Sequence, residues 1–347
     1  MRIHVFVIAV LLTGVPLFIQ AQTVGDYQSR ASGNWNDLST WERYNGTSWE
    51  PAISSPSAAD GLITIRNPHS VTIPVSQSTT IDQLVINGIL NVNGTLSVAN
   101  GPGVDLIVSG INSKLQVNGT LIRQNLSEIS NEVGAAAIAF GNGALYDHQY
   151  ATSVGDMPSA TWASTSTLLF SGFKNTARIS ANSTWDQQYG NVTFSNPGQK
   201  AVVELHGYIR TIRGSLSMVN NSGSPVRLSD DGDFELNIDG DLVINGSSRL
   251  VFGAANSVVI NIGGDFVFSS NNAAGSYATV SGSTTINLAG DFVANAGTGR
   301  FRFTGQGSTG NTVLNMLNGD FQLISGILEE QGSGAAQVNI RFLHAGE

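Results

Sequence analysis

A Gly-Asp pair followed by an apolar residue recurs through the last third of the chain: Gly240-Asp241-Leu242, Gly264-Asp265-Phe266, Gly290-Asp291-Phe292 and, more loosely, Gly319-Asp320-Phe321. If Asp241, Asp265, Asp291 and Asp320 stack, they are candidate calcium ligands. Carboxylates ~5 Å apart repel one another, and a divalent cation relieves the repulsion. A structural reading stands beside this one. Each glycine is expected to supply the positive φ of a tight corner, and each aspartate to accept a backbone N–H there. The calcium-binding nonapeptide Gly-Gly-x-Gly-x-Asp is absent from the chain.

A second group of acids lies in one run, where Asp233, Glu235 and Asp239 alternate with Phe234, Leu236 and Ile238. In a strand the acids would share one outer face. They are candidates for glycan contact, for a cation, or for paired carboxylates acting on a glycan. Glycosidases set two carboxylates ~5–9 Å apart, but any i,i+2 pair in a strand meets that distance, so a solvated face fits equally. Trp35 and Trp41, with Trp49 close by, either plug the first turn of the fold or offer aromatic faces to sugars. Arg210 and Arg213 are the one basic pair that a lyase-type mechanism would use. Beyond residues 1–21, His69, His148, His206 and His344 are scattered without metal-ligand spacing. With no cysteine and no Gly-x-Ser-x-Gly elbow, nothing points to a thiol or serine nucleophile.

The elements that must position these residues are short strands. Each Gly-Asp pair sits in a longer unit, φ-Asn-φ-x-Gly-Asp-φ, as in Leu236-Asn237-Ile238-Asp239-Gly240-Asp241-Leu242. Asn237, Asn261, Asn287, Asn315 and Asn339 are 24, 26, 28 and 24 residues apart. A propeller blade needs ~40 residues, whereas this period suits one coil of a parallel β-helix with three strands and three turns. The asparagines would then stack as an amide ladder. Upstream, Leu62-Ile63-Thr64-Ile65, Val71-Thr72-Ile73 and Leu90-Asn91-Val92 alternate with period two, and almost nothing reads as helix. Asn-Gly pairs at Asn87, Asn93, Asn118 and Asn245 are expected to turn with positive φ. A dozen or so coils at ~4.8 Å spacing make a rod roughly 60 Å long.

Residues 1–21 read as a secretory signal peptide: Arg2, an apolar stretch from Val5 to Ile19, and Ala21 as the small residue before cleavage. Residues 22–126 are expected to form an N-terminal cap and the first coils. The polar and alanine-rich segment 127–165 breaks the rhythm and reads as an irregular excursion. Residues 166–347 carry the repeats and stop inside a coil after Asn339, which suggests a fragment or a covered end.

The net charge is −9, and only 12% of residues are charged. So few Lys and Arg in an acidic chain argue against nucleic acid or an anionic membrane surface as partner. After removal of the signal no segment is apolar enough to span a bilayer. Without cysteine neither a disulfide nor a thioether-linked lipid is available.

The stretch Ser32-Gly33-Asn34-Trp35-Asn36-Asp37-Leu38-Ser39-Thr40-Trp41, followed by Pro56 and by Gly88-Ile89-Leu90 and Gly94-Thr95-Leu96, resembles the eight-glycine domain of extracellular β-helix proteins. The match covers residues 32–98 and lacks some of the expected glycines. Ala144-Leu145-Tyr146-Asp147-His148-Gln149, Met157-Pro158-Ser159-Ala160-Thr161-Trp162, Tyr189-Gly190-Asn191-Val192-Thr193-Phe194 and Ile212-Arg213-Gly214-Ser215-Leu216 resemble a module of secreted Bacteroidota-type surface proteins that use type-nine secretion. That resemblance spans about 140–325. It implies an all-β, right-handed parallel β-helix exported to the cell surface, carries no catalytic residues, and leads one to expect a C-terminal sorting domain. The resulting expectation is a secreted or surface-located structural or adhesive β-helix without catalytic activity. It would need no cofactor unless calcium binds, and its partners would be extracellular polysaccharide or host and cell-surface polymers. The alternative is a β-helix that binds or degrades polysaccharide.

Overall fold

A computed structural model describes residues 22–343 except 152, 176, 180–182, 231, 255–256, 306–308 and 332–335. The signal-peptide expectation for residues 1–21 and His344 lie outside the described residues. The chain winds into a β-solenoid of about 11 turns, with 50% of its residues in strands and the rest almost entirely in turns and connections. Among the described residues no helix is long and apolar enough to cross a membrane.

Each full coil contributes one short strand to each of three faces. The coil from Leu84 to Val98 shows the plan, with strands Leu84–Ile86, Ile89–Val92 and Thr95–Val98. Each strand pairs in parallel with its counterpart one coil on: Leu106–Val108, Lys114–Val117 and Thr120–Arg123. Period-two alternation sends one side chain inward and the next outward, so Leu84, Ile86, Leu90, Val92, Leu96 and Val98 are all fully buried. Stacking in register makes each inward position a column along the axis. Phe266, Phe292 and Phe321 form one column, with ring centroids 5.1 and 4.8 Å apart. Each such side chain contributes about 1.5–3 kcal/mol by burial, and no disulfide exists to share the task.

The N-terminal end is closed by a change of direction. Tyr27–Ser29 runs parallel to Ile63–Ile65 but antiparallel to Trp41–Tyr44, which pairs in turn with Trp49–Pro51. The outermost strand carries Glu50 and Pro51, residues that discourage further strand pairing. At the other end Leu323, Ile324, Ile340, Phe342 and Leu343 are exposed.

The irregular segment is shorter than residues 127–165. Ile129–Asn131, Ile138–Phe140 and Leu145–His148 pair in register with the preceding coil, and Thr161–Trp162 pairs with Ile138–Phe140. Polar and alanine-rich composition hides these strands because only their inward residues need be apolar. The true departure is in 149–160, where one coil has no first-face strand among the described residues. The third face stays continuous here, since Leu145–His148 pairs with Thr167–Phe170. The second face breaks: Thr161–Trp162 and Gln188–Tyr189 lie against each other but belong to different sheets.

Arg123 and His148 sit opposite each other in the inward column of the third face beneath that departure. The buried Arg123 guanidinium donates from Nε to the Ser127 carbonyl (2.8 Å), from Nη1 to the Asp156 carbonyl, and from Nη2 to the Tyr150 hydroxyl (2.9 Å). It also lies over the Tyr150 ring at 4.7 Å. His148 Nε2 bonds the Val154 carbonyl at 2.6 Å. These side chains hold the irregular backbone where the strand ladder is missing, which meets the demand that buried carbonyls be paired.

Candidate functional site

The Gly-Asp motifs form one axial column. Asp265 N–H donates to Asp241 Oδ1 (2.9 Å), Asp291 N–H to Asp265 Oδ1 (2.8 Å) and Asp320 N–H to Asp291 Oδ1 (2.8 Å). The column reaches further back than the motif. Asp241 N–H donates to Ser215 Oγ, and Ser215 N–H to Asn191 Oδ1, both at 2.9 Å. Each side chain thus accepts the N–H of its own successor one coil on, and any short oxygen acceptor serves.

The glycines beside them do not have positive φ, contrary to expectation; neither do those following Asn87, Asn93 and Asn118. Their requirement is space. A Cβ on Gly290 would lie 2.3 Å from Asp265 Oδ1 and 2.5 Å from the Gly264 carbonyl oxygen. On Gly94 it would lie 2.2 Å from the Gln77 oxygen. Corners stacked at strand spacing leave no room for a side chain pointing along the axis. Of the four pairs at Asn87, Asn93, Asn118 and Asn245, Asn245-Gly246 keeps the expected geometry, with φ 59° at the glycine.

As a calcium site, the column offers one carboxylate per coil, and Oδ1 of Asp241, Asp265 and Asp291 is already engaged by a backbone donor. Asp291 Oδ2 additionally accepts from Gln322 Nε2 at 3.2 Å. Among the described residues no three His, Asp or Glu side chains gather as a metal-binding group.

The asparagine ladder forms as the period requires. Asn261 Nδ2 donates to Asn237 Oδ1 (2.8 Å), Asn287 to Asn261 (2.7 Å) and Asn315 to Asn287 (2.8 Å). It does not extend to Asn339, which pairs with Val313; Arg341 stands opposite Asn315. The half copy near the end is two residues out of step.

The tryptophans close the first turn. Trp35 and Trp41 are buried, meet edge to face at 5.0 Å, and donate their indole N–H groups to the Pro56 and Trp35 carbonyls. Neither has a face free to stack on a sugar, which corrects their assignment as glycan contacts. Trp49 is half-buried beside Tyr44.

Asp233, Glu235 and Asp239 are exposed, with Phe234, Leu236 and Ile238 buried between them. Glu235 accepts from Asn261 Nδ2 at 2.9 Å. Asp239 joins the asparagine ladder in lining a shallow cleft of about 360 Å³. Arg210 lies near the Phe234 ring, at 6.0 Å from its centroid, and Arg213 lines a different, larger cleft. His69 bonds Ser29 at 2.8 Å, and His206 pairs with Asp230. Burial raises the pKa of the Glu204 carboxyl even though Arg227 sits 2.8 Å from it. That pair continues an Arg178, Glu204, Arg227 register across three coils.

The larger cleft, about 590 Å³, opens where the second face breaks. Gln187 bridges the break in place of a strand ladder. Its Oε1 accepts from the Ala160 N–H and the Trp162 indole N–H, both at 3.1 Å, and its Nε2 donates to the Pro158 carbonyl at 3.1 Å. Asp186, Gln188, Thr161, Thr211 and Arg213 complete the polar lining. Arg213 was legible as a candidate by residue type. Asp186 and the glutamines were not, because only the lapse of the second-face ladder brings them together.

No family model, no curated protein and no solved structure matches the chain. The class it belongs to is set by the architecture, a parallel β-solenoid with an antiparallel N-terminal cap.

Proposed function

We propose that this β-solenoid is exported and works outside the cell as a surface-located structural or adhesive rod, holding polysaccharide or another surface polymer without turning it over. The observation that carries this reading is axial repetition. Asn237, Asn261 and Asn287, with Asp239 beside them, present polar groups at strand spacing along one cleft, and a polymer with repeating hydroxyls matches such a surface. The apolar stretch in residues 1–21 supports export. The resemblances over residues 32–98 and about 140–325 support the type-nine route to the surface.

A second reading, cleavage of polysaccharide, is favoured by the exposed carboxylates Asp233, Glu235 and Asp239. A polysaccharide panel incubated with the full chain separates the two. Retention of the protein on an insoluble polymer, with neither new reducing ends nor unsaturated products, is the expected result. Product release that disappears when Asp233, Glu235 and Asp239 are changed to alanine would overturn it in favour of the second reading.

A further inference from the structure

We propose that the cleft at the break in the second face is a binding subsite for an uncharged, hydroxyl-rich sugar unit of a polysaccharide, with Arg213 as donor and Asp186 as acceptor. The assignment rests on the polymer-binding reading and gives it a place and a ligand class.

Three observations support it. The first is location. On either side of the break the second face is closed by backbone pairing, whereas between Thr161–Trp162 and Gln188–Tyr189 the ladder lapses and a cleft of about 590 Å³ opens. Small-molecule clefts span about 300–1,000 Å³. The second is unmet bonding capacity. Arg213 Nε is buried without a hydrogen-bond partner, although the residue as a whole is only half-buried. Among the described residues neither the Arg213 guanidinium nor the Asp186 carboxylate has a side-chain hydrogen bond or ion pair, although both line one cleft. The groups a ligand in the cleft can reach are the two terminal nitrogens of the half-buried Arg213 and the carboxylate of the exposed Asp186. Gln187, in the same cleft, is by contrast saturated by protein partners and serves the frame.

The third is charge. A cationic donor and an anionic acceptor face one space, with the hydroxyls of Thr161 and Thr211 and the amide of Gln188 alongside. Sugar hydroxyls both donate and accept, so they satisfy both signs at once. A uronate would pair with Arg213 but meet Asp186, in a chain of net charge −9. Trp162 is only 4% exposed, so recognition here is by hydrogen bonds rather than by ring stacking.

The test is calorimetric titration of the full chain with cello-, manno- and xylo-oligosaccharides and with oligogalacturonate. The same titrations are run on Arg213→Gln and Asp186→Ala, each first checked for an unchanged melting temperature. At least one neutral oligosaccharide is expected to bind more tightly than oligogalacturonate, and either substitution to weaken it about tenfold, the loss of one charge-assisted hydrogen bond. Neutral binding untouched by both substitutions would overturn the site while leaving the polymer-binding reading in place. Tighter binding of oligogalacturonate would overturn the ligand class. Absence of binding to every probe would overturn the subsite and count against the polysaccharide reading as well. If one variant unfolds, the other decides.

Discussion

Gly290→Ala is expected to destabilise the solenoid by about 1–3 kcal/mol, the range of an overpacked core. The added Cβ would lie 2.3 Å from Asp265 Oδ1, 2.5 Å from the Gly264 carbonyl oxygen and 2.6 Å from its carbon. Two of those three atoms are backbone and have no rotamer to escape into. Relief requires the corner to lift from the coil below. That movement strains the Gly290 N–H bond to the Gly264 carbonyl (3.0 Å) and the Asp291 N–H bond to Asp265 Oδ1 (2.8 Å). In a quasi-one-dimensional fold each coil touches only its neighbours, so the damage falls on one interface and lowers the cooperativity of the whole. Urea unfolding measures it. A clear fall in midpoint is expected, and a midpoint equal to the parent's would mean the corners are looser than their geometry requires.

The second large effect is acid lability from His148. Its ring is fully buried, stacked on Tyr150 at 4.8 Å and packed against Phe170, Phe173 and Trp185. Burial, reinforced by Arg123 on the preceding coil, lowers its pKa to about 3. The unfolded chain protonates near the ordinary value of about 6.5. Between those values the unfolded state binds a proton that the folded state refuses. Stability from this group is therefore complete above pH 6.5 and falls as pH drops, by up to about 1.4 kcal/mol per pH unit. His148→Gln keeps an N–H for the Val154 carbonyl and does not titrate. Relative to it, the parent is expected to lose about 3 kcal/mol by pH 4. Denaturant midpoints across pH 7 to 4 give the comparison, and parallel curves would show that the ring takes up its proton without cost.

The repeat made the fold readable. A 24- to 28-residue period in φ-Asn-φ-x-Gly-Asp-φ is set by coil circumference, and alternation around Leu236, Ile260 and Ile286 fixed which residues point inward. The Asn column was readable for the same reason as far as Asn315. It failed at Asn339, because a two-residue slip keeps the local pattern while changing the partner. The glycines were placed correctly and explained wrongly: sequence reveals that a side chain is missing, but not whether φ or space forbids it. Trp35 and Trp41 show a related ambiguity, since a ring that plugs a core and a ring that stacks on sugar have the same sequence. The 590 Å³ cleft was least readable of all. It opens where the ladder between Thr161–Trp162 and Gln188–Tyr189 lapses, and the residues it gathers, Asp186, Gln187 and Gln188, carry no periodic signal. Arg123 was missed because a buried arginine in an otherwise apolar column makes sense only once the carbonyls of Ser127 and Asp156 are seen to need it.

The central claim is that the Gly-Asp column, the most chemistry-like feature of the chain, joins coil to coil through backbone donors. Calcium stability of Asp265 variants tests it most directly. Asp265→Asn keeps an Oδ1 acceptor for the Asp291 N–H and removes the charge; Asp265→Ala removes both. Melting temperatures are measured with chelator and with excess calcium. Asp265→Asn is expected to melt with the parent, Asp265→Ala to lose about 1 kcal/mol as one half-buried hydrogen bond is lost, and none of the three to respond to calcium. A parent that melts lower in chelator, together with an asparagine variant that has lost that response, would contradict the account and make the column an ion site.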